Sequence, residues 1–212
     1  MTRVLFVRHG ETTWNREGRV QGWASTPLTG RGRDQARETG VYLREVGVDR
    51  VLSSDLRRAR ATARLVREGA RSADCPEERP GVDASLSFEQ AWRERDFGEF
   101  QGLTRAAIAD RHEGFDPEGS LVAVESIPDG ESLADFCRRV AAGWESLSAG
   151  VDDETVAVVT HGGPLRAVVA DITGDDVPGV AREWSPDNCG VTEVDVSGTP
   201  EIVRRDDTTH LE

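Results

Sequence analysis

Residues 4–12 read VLFVRHGET, four consecutive apolar residues followed at once by a histidine set among charged and small residues. A short apolar run bounded in this way is typical of a buried strand. Two later runs have the same form: residues 51–55 read VLSSD, and residues 155–163 read TVAVVTHGG. The sequence therefore predicts three buried strands, each ending in residues that can carry chemistry.

Segments with helical spacing separate these strands. We predict helices over 29–45, 55–68 and 103–112, a long helix starting at Ser132, and a further helix with Pro164 as its first residue. Two more strands are predicted over 191–196 and 201–205, and residues 69–83 are predicted to be a loop. Strands that alternate with helices predict an α/β fold, a three-layer sandwich whose mostly parallel central sheet carries helices on both faces.

No internal repeat, low-complexity tract or linker divides the chain, so residues 1–212 are expected to form a single domain. Residues 113–130 are rich in Gly, Pro and carboxylates, and the segment at about 100–130 is expected to be a lid or a substrate-specificity excursion. We expect substrate specificity to depend on this segment and on the loop at about 14–28.

The chain has 39 acidic and 26 basic residues, a formal net charge of −13, and every basic residue is arginine. A surface this acidic repels nucleic acid and anionic membranes, so neither is expected as a partner. No apolar run is long enough to cross a bilayer, and residues 1–7 are too short for a signal peptide, so we expect a cytoplasmic protein. The lysine-free composition has two interpretations, a cytoplasm of very high salt, which we favour, or a GC-rich genome. The first predicts that activity and stability rise with molar KCl, and full stability in dilute buffer would count against it.

Neither a disulfide framework nor a metal site is indicated. The three cysteines, Cys75, Cys137 and Cys189, are odd in number and far apart, so we expect them to be buried apolar fillers. His9 and His161 follow strands, but no H-E-x-x-H or other tight ligand spacing accompanies them. We therefore expect no bound metal and no cofactor.

The two strand-end histidines should lie close together, because ligands of α/β sheets bind beyond the carboxyl ends of parallel strands. His9 and His161 are each followed by glycine, which lets backbone N–H groups approach a ligand closely. Arg8 and Arg58 stand in the same segments, and guanidinium groups bind phosphate through paired hydrogen bonds. Any one of these residues is more often structural; their joint occurrence predicts an anion site.

A series of ordered motifs carries a family resemblance. They are Arg8-His9-Gly10-Glu11-Thr12 with Asn15, Thr26-Pro27-Leu28-Thr29, Ser53-Ser54-Asp55-Leu56-x-Arg58, Glu94-x-x-Phe97-Gly98, Gly130-Glu131-Ser132 and Thr160-His161-Gly162-Gly163-x-x-Arg166. The set resembles the histidine phosphatase superfamily, the phosphoglycerate mutase-like proteins, and its phosphatase branch in particular. The resemblance implies the phosphoglycerate mutase-like form of the α/β sandwich.

The resemblance also implies a phosphohistidine mechanism. His9 would be the nucleophile that takes the phosphoryl group, and Glu94 the general acid and base. Arg8, Arg58 and His161 would complete the catalytic set by offsetting charge on the transferring phosphoryl group. The substrate would be bound by the same two arginines together with Asn15, Gln21, Gly22 and Gly162. The physical requirements fit, since His9 must be neutral to attack and neighbouring cations disfavour its protonated form.

Three functions stay open for such a site. The first, which we favour, is a metal-independent phosphomonoesterase, monomeric or homodimeric, that acts on a small phosphorylated metabolite such as a phosphorylated sugar or glycerate, or α-ribazole phosphate. The second is a cofactor-dependent phosphoglycerate mutase. An arginine directly after the proton donor, here Arg95 after Glu94, resembles the pattern in mutases and favours the second function. Residues 113–130 contain no Arg or Lys to hold a substrate carboxylate, which favours the first. The third is a catalytically silent binding module on the same fold.

Three tryptophans and two further histidines have an expected place. Trp14, Trp23 and Trp92 are close to the motifs and are expected either to line the substrate pocket or to pack in the core. His112 and His210 are expected to be surface or structural residues.

Overall fold

The computed structural model describes residues 2–70 and 85–211, which form six strands and seven α-helices. The strands are β1 (Arg3–Arg8), β2 (Arg50–Ser54), β3 (Leu86–Glu89), β4 (Thr155–Thr160), β5 (Val191–Asp195) and β6 (Glu201–Asp207). The helices are α1 (Thr13–Arg16), α2 (Gly30–Val46), α3 (Arg57–Gly69), α4 (Arg105–Ala109), α5 (Leu133–Gly150), α6 (Gly162–Thr173) and α7 (Val177–Glu183). Most of the loop predicted over 69–83, including Cys75, lies outside the described residues.

All six strands join one sheet in the order β3-β2-β4-β1-β5-β6. The first four run parallel to one another, and β5 and β6 extend the sheet in the antiparallel sense. The mostly parallel α/β sheet predicted from the sequence is therefore confirmed. Three elements escape prediction because their patterns are weak: β3 is an edge strand of four residues, three of them exposed, α1 has only four residues and α7 only seven.

The central strands are apolar on both faces because helices cover both. Phe6 of β1 packs with α5 and α6 on one face, whereas Leu5 and Val7 pack with α2 and α3 on the other. This confirms the three-layer sandwich. The helices α2 and α3 touch through their backbones, since a Cβ on Gly40 would lie 2.1 Å from the carbonyl oxygen of Val66.

The long helices begin where the sequence indicates. Thr29 caps α2 by accepting a hydrogen bond from the N–H of Gly32, and Gly47 ends that helix in the left-handed conformation (φ +83°). Ser132 caps α5 in the same way, accepting from the N–H of Asp135. Capping side chains therefore set both starts.

Two helix predictions are wrong in detail. The helix predicted over 103–112 is shorter, because Thr104 caps α4 and the helix ends after Ala109. The helix expected to start at Pro164 starts at Gly162 instead, so the proline is its third residue. Proline fits there because the N–H groups of a first turn have no intrahelical acceptor.

Residues 98–131, which we name the roof segment, follow the predicted excursion at about 100–130. They contain α4 and two single 3₁₀ turns, and their apolar side chains form a small core of their own with Val20 and Phe97. The Arg95 side chain is completely buried beneath them and donates to four of their carbonyl groups. The acceptors are the carbonyls of Val122, Val124, Glu125 and Glu131.

The two described cysteines differ in burial. Cys189 is completely buried, as predicted, and burial raises the pKa of its thiol to about 12. Cys137 is only half-buried at the edge of the core, so the prediction of a buried filler is too strong for it, because that face of α5 is incompletely covered. Among residues 2–70 and 85–211, every helix is too short or too polar to traverse a lipid bilayer.

Candidate active site

The parallel strands bring three of the predicted segments to one edge of the sheet. In the register of β1 with β4, Arg8 lies opposite Thr160, so His9 and His161 follow side by side with ring centroids 5.2 Å apart. The end of β2 lies next to β4. The antiparallel strand β5 starts at the same edge, which adds the segment before Val191 to the predicted set.

A cavity of about 320 Å³ opens between this edge and the roof segment. Seven predicted site residues line it, namely Arg8, His9, Asn15, Gln21, Gly22, Arg58 and Glu94. The predicted residues His161 and Gly162 are not among the lining residues, whereas their neighbour Gly163 is. A larger cavity of about 520 Å³ lies under the roof segment around Phe100 and Phe115, and the strand-end residues take no part in it.

The His9 ring is buried and its two nitrogens have different partners. Nδ1 lies 2.9 Å from the carbonyl oxygen of Gly10, an acceptor, so Nδ1 carries the ring proton and Nε2 carries the lone pair. Arg58 Nε donates to that lone pair at 3.2 Å. Burial first, and then the charges of Arg58 and Arg8, hold the pKa of His9 well below its ordinary value. The imidazole is therefore neutral near pH 7 with Nε2 available as a nucleophile.

The His161 ring is completely buried behind His9. Its Nε2 lies 2.8 Å from the hydroxyl of Ser54, which itself accepts a hydrogen bond from the N–H of Leu56. The Ser54 hydroxyl proton can then be donated to Nε2, which leaves the proton of the neutral ring on Nδ1. Within the described chain this Nδ1 has no hydrogen-bond partner. Burial, with Arg58 next, holds the pKa of His161 well below its ordinary value.

Backbone carbonyls hold the two arginines of the predicted site. Arg58 donates to the carbonyl oxygens of Gly22 at 2.7 Å and Ala24 at 3.3 Å, and Arg8 donates to that of Pro186. Desolvation lowers the pKa of both, that of Arg58 to about 10, and a guanidinium group keeps its charge in proteins. The Nε of Arg8 is buried and lacks a partner among the described residues.

Two amide side chains are oriented by hydroxyl and backbone donors. Asn15 Oδ1 accepts from the N–H of Thr12 at 3.1 Å, and Gln21 Oε1 accepts from the hydroxyl of Thr26 at 2.6 Å. Because the oxygens are engaged, the NH₂ groups of both amides remain to donate into the cavity that they line.

The Glu94 carboxylate is held at the cavity wall by two backbone N–H groups. Oε1 accepts from Arg95 at 2.9 Å and Oε2 from Gly163 at 3.2 Å. A Cβ on Gly163 would lie 2.1 Å from Oε1, so position 163 admits only glycine while the carboxylate keeps this place. The Glu94 carbonyl also accepts from Trp23 Nε1 at 2.7 Å.

The charge of the cavity is opposite to that of the chain. Five arginines and one carboxylate line it, the carboxylate being Glu94 and the arginines Arg8, Arg19, Arg58, Arg105 and Arg166. Arg19 is exposed and pairs with Glu17. Within residues 2–70 and 85–211 the other four form no ion pair with an acidic side chain. The site therefore attracts an anion.

Sequence reasoning misses several residues of the site. Asn188, just before β5, donates to the carbonyl of His9 at 2.7 Å and lies 3.5 Å from Asn15 Oδ1; only the antiparallel pairing of β5 with β1 brings it there. Ser54 contacts His161, and its position at the end of a strand could have indicated that it belongs to the site. Arg166 stands inside a quoted motif, so its presence at the cavity could have been inferred.

The three tryptophans lie in different places, and the prediction of pocket or core is wrong for Trp23, which is exposed and belongs to neither. Trp14 lines the cavity, whereas Trp92 is completely buried in the core beside Phe6. Trp23 is partly exposed and stacks under the Arg93 guanidinium at 4.5 Å. His112 packs edge-on against Phe100 and His210 stacks on Tyr42, so both are structural, as predicted.

No group of three or more His, Cys, Asp or Glu side chains that could hold a metal ion occurs in the part of the chain that the structure describes. The ring nitrogens of His9 contact the Gly10 carbonyl and Arg58 Nε, and Nε2 of His161 contacts the Ser54 hydroxyl, so none of these nitrogens faces a carboxylate that could share a metal ion. The donor set of the cavity, guanidinium and amide groups, suits an anion rather than a cation.

Comparisons with known proteins agree with this geometry. Residues 4–208 match the profile of the histidine phosphatase superfamily (branch 1). A curated relative, "Probable phosphoglycerate mutase GpmB" of Salmonella arizonae, is 32% identical over 197 residues, covering 92% of this chain and 85% of the relative. The solved structure of Bacillus stearothermophilus YhfR is 28% identical and covers both chains fully, with a TM-score of 0.85. The α-ribazole phosphatase of Shigella flexneri is 25% identical over 97% of this chain and 96% of its own, with a TM-score of 0.79.

Proposed function

The chain belongs to the histidine phosphatase superfamily, branch 1, and from this premise we propose that it is a metal-independent phosphomonoesterase that hydrolyses a small phosphorylated metabolite. The observation that carries the proposal is the state of His9. Its ring is neutral and fixed by the Gly10 carbonyl, and it presents Nε2 to a cavity lined by five arginines, four of which form no ion pair within the described residues. A basic nitrogen in such a cavity suits attack on phosphorus.

In the first step His9 Nε2 attacks the phosphorus atom of the ester. The N–P bond forms as the bond from phosphorus to the ester oxygen breaks, and the Glu94 carboxyl group gives its proton to the leaving alkoxide. The phosphorylated imidazole keeps its Nδ1 proton, and the Gly10 carbonyl accepts from it. Arg8 and Arg58 offset the charge on the transferring group.

In the second step a water molecule attacks the phosphohistidine. Glu94, now a carboxylate, takes a proton from the water as the new O–P bond forms, and the N–P bond breaks to release inorganic phosphate and neutral His9. Asn15, Gln21 and the N–H of Gly162 donate to the phosphoryl oxygens. His161 donates from Nδ1, which supports this role by being buried with no partner in the described chain, a costly state that a phosphoryl oxygen would relieve.

The runner-up is a cofactor-dependent phosphoglycerate mutase, which the name of the relative in Salmonella arizonae favours. Arg95 stands at the position where this chain resembles the mutases. Its guanidinium group donates to carbonyl groups of the roof segment, and the residue does not line the cavity. The resemblance at this position therefore gives the mutase no substrate contact, and we place the phosphatase first.

We also propose the domain organisation, the role of the roof segment, the location of the protein and the kind of substrate. We propose one domain over residues 1–212, with the roof segment as lid and specificity element. We also propose a cytoplasmic protein, monomeric or homodimeric, without a cofactor and without nucleic-acid or membrane partners. The cavity volume of about 320 Å³ supports a small metabolite, such as a phosphorylated sugar, phosphoglycerate or α-ribazole phosphate.

Hydrolysis of p-nitrophenyl phosphate in EDTA tests the proposal. We expect turnover in EDTA and no isomerisation of 3-phosphoglycerate on addition of 2,3-bisphosphoglycerate. His9→Ala should abolish turnover. Glu94→Gln should release one p-nitrophenolate per site in a burst and then turn over slowly, because this leaving group needs no proton whereas water attack needs a base. Robust interconversion of 3- and 2-phosphoglycerate would establish the mutase, and absence of any phosphoenzyme with several esters would favour the silent binding module.

A further inference from the structure

One motif of the sequence, Gly130-Glu131-Ser132, has no part in the proposed reaction. In the structure its glutamate binds Arg139, a residue of α5. Arg139 Nε donates to Glu131 Oε1 at 2.9 Å, and Nη2 donates to Oε2 at 2.7 Å. Only 21% of the arginine side chain and 14% of the glutamate side chain are exposed. Because both carboxylate oxygens are bound, the guanidinium plane is fixed in orientation as well as in place.

The fixed guanidinium group donates to the backbone of residues 90–94, the run that ends in Glu94. Its acceptors in this run are the carbonyl oxygens of Gln90 at 3.2 Å, Ala91 at 2.9 Å, Arg93 at 3.0 Å and Glu94 at 3.3 Å. The remaining carbonyl, that of Trp92, accepts from the hydroxyl of Thr160 at 2.8 Å. Arg139 therefore binds every carbonyl group of the run except one.

Residues 90–94 depend on such support because little regular structure holds them. The strand β3 ends at Glu89, and a single 3₁₀ turn covers only the first three residues of the run. The other donor to the Glu94 carbonyl is the indole of Trp23, an exposed side chain, whereas Arg139 is anchored in a long helix. Carbonyl groups that lose their donor seek new partners. A shift of the run would carry the Glu94 side chain with it.

We propose that Arg139, oriented by Glu131, is a positioning residue for Glu94, the proposed general acid and base. Arg139 does not line the cavity, so it acts through the backbone of residues 90–94. The inference rests on the proposed function, which assigns Glu94 its role. Its consequence is specific: loss of Arg139 impairs proton transfer to the leaving group and leaves the nucleophile and its two arginines in place.

A matched pair of esters separates proton transfer from the rest of the reaction. p-Nitrophenyl phosphate and p-nitrobenzyl phosphate differ by one methylene group, but only the second loses an alkoxide that needs a proton. In Arg139→Met we expect kcat/KM for p-nitrobenzyl phosphate to fall about 10- to 100-fold, the cost of a misplacement of about 1 Å. The kcat/KM for p-nitrophenyl phosphate should change less than about threefold, because formation of the phosphoenzyme then needs no acid. A merely structural role would lower both values equally.

Arg138→Met is the matched control. Arg138 is the neighbour of Arg139 on the same helix, but 72% of its side chain is exposed, and so is 60% of its partner Asp135. This variant should leave both kcat/KM values unchanged. Arg139→Lys keeps the charge opposite Glu131 but lacks the planar fork of donors, so we expect part of the fall to remain. Arg139→Lys carries the test if Arg139→Met does not fold.

A spectroscopic arm follows the Glu94 carboxylate without any catalysis. The N–H groups of Arg95 and Gly163 donate to its two oxygens, so their resonances in a ¹H–¹⁵N correlation spectrum report its position. Glu94→Ala gives the reference in which both hydrogen bonds are absent. We expect Arg139→Met to move both resonances toward the reference values and Arg138→Met to leave them in place.

Failure of the positioning role and failure of the proposed function give different results. Moved resonances in a protein that hydrolyses neither ester would support the positioning role and refute only the proposed function. Equal losses for the two esters in Glu94→Gln would likewise refute the proposed role of Glu94 alone, and the resonances then decide on Arg139. Unmoved resonances in Arg139→Met, or an equal fall for both esters where Glu94→Gln discriminates between them, would overturn the positioning role and leave a phosphatase intact.

Discussion

The floor of the cavity, formed by the ends of β1, β2 and β4, and its cover, the roof segment, are held in different ways. The floor is part of the sheet: Arg8 lies in register with Thr160, and His9 donates its N–H to the carbonyl of Thr160 at 2.9 Å. The roof segment contains little regular structure and is held in place by arginine side chains that donate hydrogen bonds to its backbone carbonyls. The difference teaches that a rigid floor suits the reacting groups, whereas the cover can vary with the substrate.

The largest effect expected from this comparison is at Gly163, where the floor meets Glu94, the proposed general acid. In Gly163→Ala the new Cβ would displace the Glu94 carboxylate, since it would lie 2.1 Å from Oε1. We expect kcat to fall about 10²- to 10⁴-fold, the usual contribution of general acid–base catalysis. Steady-state kinetics measures the loss, with Gly150→Ala as control, because a Cβ at that helical glycine meets nothing within 4 Å. Full activity in Gly163→Ala would mean that Glu94 does not act from this position.

A smaller loss is expected at Asn188, which fixes the floor without touching the substrate. Asn188→Ala removes the donor to the His9 carbonyl and the neighbour of Asn15. Because a displacement of about 1 Å costs roughly 10²-fold in rate, we expect kcat to fall about 10- to 100-fold. The rate of phosphoenzyme formation, followed by rapid quench, should fall by the same factor, and Asn188→Gln should not rescue it. A variant that loses stability but keeps that rate would assign Asn188 a structural role alone.

Much of the floor follows from sequence, because His9 and His161 come directly after apolar strands and Arg58 stands in the first turn of the helix that follows β2. His9, His161 and Arg58 are therefore found without a structure. Asn188 is not, since its place depends on β5 running antiparallel beside β1, a pairing that periodicity does not encode. The contacts of Arg105 and Arg95 are missed for another reason: their acceptors are backbone carbonyls of irregular segments, and residue types carry no signal for those.

A change in the roof segment should separate substrate choice from chemistry. Arg95→Met leaves four buried or part-buried carbonyls of this segment without their donor, so the free energy of unfolding should fall by about 2–4 kcal/mol, as urea denaturation would show. We expect kcat/KM for the preferred metabolite to fall more than that for p-nitrophenyl phosphate, which needs the floor alone. An equal loss for both would show that the roof segment also positions the floor.

The smallest expected effect is on the free energy of unfolding at low pH, and it comes from the two buried histidines of the floor. The pKa of His9 and that of His161 are lowered in the folded state, so below about pH 6.5 the unfolded chain binds more protons than the native one. The free energy of unfolding should therefore fall with pH, by about 1 kcal/mol per buried histidine between pH 7.5 and 5.5. Urea denaturation at the two pH values measures it, and His161→Gln should reduce the slope. An unchanged slope in that variant would contradict a neutral, buried His161.

The central claim, that His9 carries the phosphoryl group, has one direct test. The enzyme is incubated with ³²P-labelled p-nitrophenyl phosphate, whose leaving group needs no proton, quenched in alkali, in which phosphohistidine persists, and mapped by peptide digestion. We expect acid-labile label on the peptide that contains His9, and more of it in Glu94→Gln, where water attack is slowed. Label on His161, or turnover without any label on His9, would contradict the account.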